Sequence, residues 1–127
     1  VLTEWSPYLQ AFDAWASAFN PEFLATEQKL ACDEFAGTID CICRIDGQTY
    51  VIDFKTTNKL MPMVAVQTAA YELLARCSGK FGDQMMRRAA LQLKDDGTFT
   101  WETYSDIEDY ETFEHLLRVQ QWVEKNV

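Results

Sequence analysis

The sequence predicts an α+β domain, and three observations carry that expectation. Two β-branched and apolar runs flank Asp46-Gly47, and a second pair flanks Asp95-Asp96-Gly97, both hairpin signals. The first and last segments repeat apolar residues at helical spacing. Between the hairpins, Pro62 and Gly79 bracket a segment with the start and stop chemistry of a helix. In order these give helix, three strands, helix, two strands, helix, in one domain over residues 1–127.

The first helix covers residues 7–19, with Ser6 as cap, Pro7 in its first position and Leu9, Phe12, Trp15 and Phe19 as its stripe. Asn20-Pro21 ends it. Residues 22–32 form the first strand, 35–45 and 48–55 the hairpin, and 56–61 a loop. In the helix that follows, Ala65, Ala69 and Ala70 permit a close approach to the sheet. Residues 87–93 and 98–104 are the second hairpin. Ser105 and Glu108 read as a capping box for the last helix, whose stripe is Ile107, Tyr110, Phe113, Leu117 and Trp122. Asp106, Glu108, Asp109, Glu111 and Glu114 lie near its start, where the helix dipole favours acids.

The Asp46-Gly47 turn sets a register. Ile45 pairs with Gln48, so Asp40 falls opposite Asp53 and Thr38 opposite Lys55. Alternation puts Ile39, Cys41, Cys43, Ile45, Tyr50, Ile52 and Phe54 on a core face. Asp40, Asp53 and Lys55 share the other with Thr38, Ile42, Arg44, Thr49 and Val51, and the apolar members imply that a helix partly covers it. Opposed Cβ atoms lie about 5 Å apart, and two carboxylates there repel by about 3 kcal/mol at an effective dielectric near 20. Lys55, a raised pKa or a divalent cation can offset that cost, and oxygen-only ligation suits Mg2+ or Mn2+. The plain alternative is a solvated acid pair tied by Lys55.

With 20 acidic against 11 basic residues the net charge is −9, the wrong sign for a broad nucleic-acid-binding surface. Phosphate contact would be confined to Lys55, Lys59, Arg76, Lys80, Arg87 and Arg88, with weak, salt-sensitive binding. No membrane span or signal peptide is expected, since no long apolar run and no charged-then-apolar leader occur. Cys32, Cys41, Cys43 and Cys77 lack CxxC spacing and read as reduced thiols, with no iron–sulfur cluster expected. His115 reads as a surface residue. Trp5, Trp15, Trp101 and Trp122 read mainly as core rather than as a base-stacking platform.

Gly37-x-x-Asp40, Ile52-Asp53-Phe54-Lys55-Thr56 and Gln67-x-x-x-Tyr71 together resemble the PD-(D/E)XK nuclease superfamily, in its RecB-like, phage-type exonuclease branch, from about Ser6 to the C-terminus. The resemblance implies a restriction-endonuclease-like αβββαβ core, a central mixed sheet flanked by helices. It implies a Mg2+- or Mn2+-dependent DNA exonuclease leaving 5′-phosphates, in phage or prophage recombination or repair. DNA and a recombination protein would be its partners, in the cytoplasm of a bacterial host.

Carried onto this chain, the resemblance makes Asp40 and Asp53 metal ligands, joined by the backbone carbonyl of Phe54. Lys55 would act on the attacking water and on charge developing at phosphorus. A third carboxylate is expected before Asp40, at Glu27 or Glu34, with Glu27 preferred for its place on the first strand. Gln67 and Tyr71 project from one helix face. Gln67 would orient the water or a phosphate, and Tyr71 would support Lys55 or the substrate. The chain departs from the branch in its histidine, which stands at 115 rather than on an upstream helix. It also begins at Val1 without Met, so an N-terminal helical segment is expected to be missing. The acidic charge and the absent upstream histidine sustain an alternative expectation, a catalytically weak nuclease-fold module that binds nucleic acid or protein in a recombination complex.

Overall fold

A computed structural model describes residues 6–127, so Trp5 lies outside the described residues. Its elements are α1 (Ser6–Phe19), β1 (Glu22–Ala31), β2 (Ala36–Ile45), β3 (Gln48–Lys55), α2 (Met63–Ser78), β4 (Arg87–Leu93), β5 (Phe99–Tyr104) and α3 (Glu108–Asn126). The strands lie in the order β1-β2-β3-β4-β5, with β3 and β4 parallel across α2 and every other pair antiparallel. This is the α+β mixed sheet that the sequence predicts. Among the described residues no helix is long and apolar enough to cross a membrane.

One apolar cluster joins Ala11 and Trp15 of α1 to Cys41, Cys43, Ile45, Ile52, Leu91 and Leu93. Phe12, Phe19 and Trp101 pack around it, and Trp15 and Trp101 stack at 5.8 Å. Leu9, expected in the α1 stripe, is 62% exposed, because the buried side of α1 runs through Ala11 and Trp15 instead. A second cluster joins Leu30, Ile39, Ile42 and Val51 to Leu74 and Ala75 of α2. The four cysteines are free, with Cys41 and Cys43 buried as expected.

Ile39 corrects the alternation. It packs with Ile42 rather than with Cys41, so the inward-facing side of β2 changes between residues 39 and 42. The change coincides with the end of the β2–β3 ladder at Cys41↔Ile52 and with Glu27, whose φ is +47, on the neighbouring strand; the register shift of the β1–β2 ladder itself lies between Phe23 and Ala25.

The last helix buries no residue. Phe113 meets Phe35 edge to face at 4.9 Å, and polar groups add to the attachment. Arg88, 3% exposed, donates to Asp109 Oδ2 at 2.9 Å and to the carbonyls of Ala65 and Asp106 at 3.0 Å each. Fully buried Glu72 accepts from Tyr110 Oη at 2.8 Å, from the Met86 amide at 3.0 Å and from Arg76 Nη2 at 2.9 Å. Arg76 and Arg88, expected as phosphate contacts, are therefore occupied within the fold. The Ser105–Glu108 capping box does not form; Asp106 Oδ1 instead accepts the Glu108 amide at 2.9 Å. Trp122, expected in the core stripe, is 66% exposed.

Candidate active site

Asp46 and Gly47 have φ of 50° and 78°, the left-handed pair of a type I′ hairpin, and the register runs as predicted from Ile45↔Gln48 to Cys41↔Ile52. In such a ladder alternate pairs exchange hydrogen bonds, so the Phe54 amide would next reach the carbonyl of Ile39. It donates instead to Asp40 Oδ2, at 2.8 Å. The carboxylate replaces a main-chain acceptor where the two strands part, and neither the Asp40–Asp53 nor the Thr38–Lys55 ladder pairing is made.

Asp53 sits in the central strand beside Ala90 of β4 and is 2% exposed. Its carboxyl lies within hydrogen-bonding reach of that of Asp40. Burial first, and the Asp40 hydrogen bond second, push the Asp53 carboxyl up to about 6 against the pull of Lys55. Lys55 Nζ stands 3.2 Å from Asp53 Oδ2, an ion pair that gives this buried oxygen its one cationic neighbour among the described residues. Two adjoining carboxyls, one of them buried, fit a hard divalent cation.

The structure thus brings Asp40, Asp53 and Lys55 together. Among the described residues no three His, Cys, Asp or Glu side chains converge as a metal-holding group. Glu27 is exposed, and it falls opposite Asp40 because Thr26↔Cys41 and Gln28↔Ile39 flank it in register. Its left-handed φ is a strained choice for a residue with a side chain. Glu34 lies elsewhere, lining a groove with Gln67 and Tyr71. Gln67 Nε2 donates to Tyr71 Oη at 3.0 Å, and among the described residues neither side chain hydrogen-bonds to Asp40, Asp53 or Lys55. A Cβ on Gly37 would come within 3.3 Å of Tyr71 Cε1, so the glycine is what lets that ring lie against β2.

One neighbour escaped the sequence reading. Gln92 pairs with Lys55 across the parallel β3–β4 ladder, is 5% exposed, and donates through Nε2 to the Thr57 carbonyl at 2.8 Å. It anchors the chain just after the lysine. Its signal was a lone amide inside the apolar run Ala89-Ala90-Leu91-Gln92-Leu93.

A five-stranded mixed sheet flanked by helices, with an acid pair and a lysine where its central hairpin opens, defines a restriction-endonuclease-like α+β domain. The family model of the PD-(D/E)XK nuclease superfamily matches residues 3–126, and the chain belongs to that superfamily. Its members are nucleases, act on nucleic acid and typically use divalent metals such as Mg2+. A search of curated proteins returned no match.

Proposed function

We propose that this chain is a Mg2+- or Mn2+-dependent deoxyribonuclease that hydrolyses phosphodiester bonds to 5′-phosphate ends. We assign it to the exonucleases of phage or prophage recombination and repair, acting in a bacterial cytoplasm. The observation that supports this most is the Asp53 carboxyl, buried beside that of Asp40 with Lys55 Nζ 3.2 Å from its Oδ2. Asp40, Asp53 and the Phe54 carbonyl would hold the cation, with Glu27 as the third carboxylate from the facing strand. Once bound, the cation offsets the repulsion of the acids and activates the phosphodiester for attack.

The chain's own groups do the rest. Lys55, its side chain 26% exposed, orients the attacking water and stabilises negative charge that grows on the phosphoryl oxygens. Asp53 holds that ammonium in place, and Gln92 fixes the backbone that follows it. Gln67 and Tyr71 would contact the substrate beside the scissile group.

A second reading follows from the charge of −9 and the two arginines occupied in the fold: a nuclease-fold module that binds within an assembly without turning over. The deciding experiment is incubation of end-labelled linear single- and double-stranded DNA, and of closed circular DNA, with Mg2+ or Mn2+ beside Lys55→Ala. Metal-dependent loss of linear substrate that falls at least ~100-fold in the variant supports the enzyme. Equal degradation by both proteins removes it, and cleavage of the circle removes the exonuclease assignment.

A further inference from the structure

Between α2, α3 and the β1–β2 turn runs a groove of about 600 Å3. Its α2 wall presents Met63, Val66, Ala70 and Leu74, and its α3 wall Phe113, Leu116 and Leu117. On each helix the lining residues recur at three- and four-residue steps over twelve positions, from 63 to 74 and from 113 to 124. The eleven rises between the first and the last span about 16 Å, three helical turns. The α2 wall keeps apolar residues along its length, whereas the α3 wall turns polar after Leu117 with Gln120, Gln121 and Glu124, so the trough would seat a helix of three to four turns with one apolar and one polar end.

The rim selects the sign of that helix. Glu34 and Glu124 border the groove, and Glu114 lines the adjoining cleft with Arg118. Among the described residues none of the three glutamates has an ion-pair partner. Glu34 and Glu124 at the edge of an apolar floor favour a cation-edged apolar face. The floor itself lies open, with Met63 54% and Leu116 44% exposed.

We propose that this groove is a docking site for a basic amphipathic helix of a partner protein. Gln67 and Tyr71 line the same trough, so a docked helix would touch the residues assigned to the substrate side of the site. The docking itself does not depend on the chain being a nuclease.

The test is calorimetric titration at physiological salt, using as probe a capped Leu/Lys peptide of three to four turns with leucines at i, i+3, i+4 and i+7. A scrambled isomer of equal charge but no apolar face is the control. Saturable one-to-one binding of the probe, with the isomer at least ~10-fold weaker, is expected. Leu116→Asp and the double change Glu34→Lys with Glu124→Lys should each weaken the probe at least ~10-fold. Both alter exposed side chains, and an unchanged melting curve verifies that they fold. Equal binding of probe and isomer, or indifference to either variant, overturns the proposal. Sedimentation of the protein alone and titration with a short single-stranded oligonucleotide cover the other occupants. A dimer that Leu116→Asp dissociates, or oligonucleotide binding that Leu116→Asp abolishes, overturns it in favour of a second copy or of nucleic acid.

Discussion

Replacing Asp53 by Asn should stabilise the metal-free protein while removing its response to metal. The Asp53 carboxyl is raised from 3.8 to about 6 by burial and by Asp40. A carboxyl with a raised pKa in the folded state binds its proton more tightly there than in the unfolded chain. Stability therefore falls as pH rises from about 4 to about 6, and the full cost is present above that window. Two pH units at about 1.4 kcal/mol each give about 3 kcal/mol at neutral pH. Asparagine carries no charge and offers Asp40 an amide donor. In chelator at neutral pH, thermal melting should place Asp53→Asn about 10 °C above the parent, a gap that closes as the pH drops toward 4. Mn2+ at about a thousand times its Kd should reverse the order, since it adds about 4.1 kcal/mol to the parent alone. A variant that melts below the parent in chelator, by an amount independent of pH, would refute the account of Asp53 as a destabilised acid awaiting a cation.

Other expectations follow from the same geometry. Tyr110→Phe removes a donor from fully buried Glu72 and should lower stability by about 1–2 kcal/mol, read by urea denaturation. Gln92→Leu frees the Thr57 carbonyl beside Lys55; turnover should fall while the Mn2+-induced rise in melting temperature is kept, and Gln92→Glu should not restore it, having lost the donor. Glu27→Gln should weaken Mn2+ binding in a calorimetric titration without lowering stability in chelator, because the side chain is exposed.

The hairpin register was legible because a two-residue Asp-Gly turn admits one pairing, and it holds for the five pairs nearest the turn. That was enough to bring Asp40 and Asp53 to one place. The period of two fails at Ile39, where a side-chain acceptor enters the ladder and Glu27 adopts a left-handed φ. No local pattern announces such a step. Arg88 and Arg76 looked like free cations for a related reason. The partners of Arg88 lie eighteen or more residues away, in Ala65, Thr68, Asp106 and Asp109, whereas Glu72, four residues before Arg76, stands on the helix period. The capping box gave way to Asp106 because Arg88 grips the Asp106 carbonyl and sets where α3 begins.

The hydrogen bond from the Phe54 amide makes Asp40 part of the seam between two strands, beside the role proposed for it in the site. Whoever wants an inert copy of this protein for trapping a substrate complex should leave position 40 untouched. Deleting that carboxylate would strand an amide and loosen the opening between the strands, blurring a chemical defect with an architectural one. Lys55 can be silenced with the seam intact.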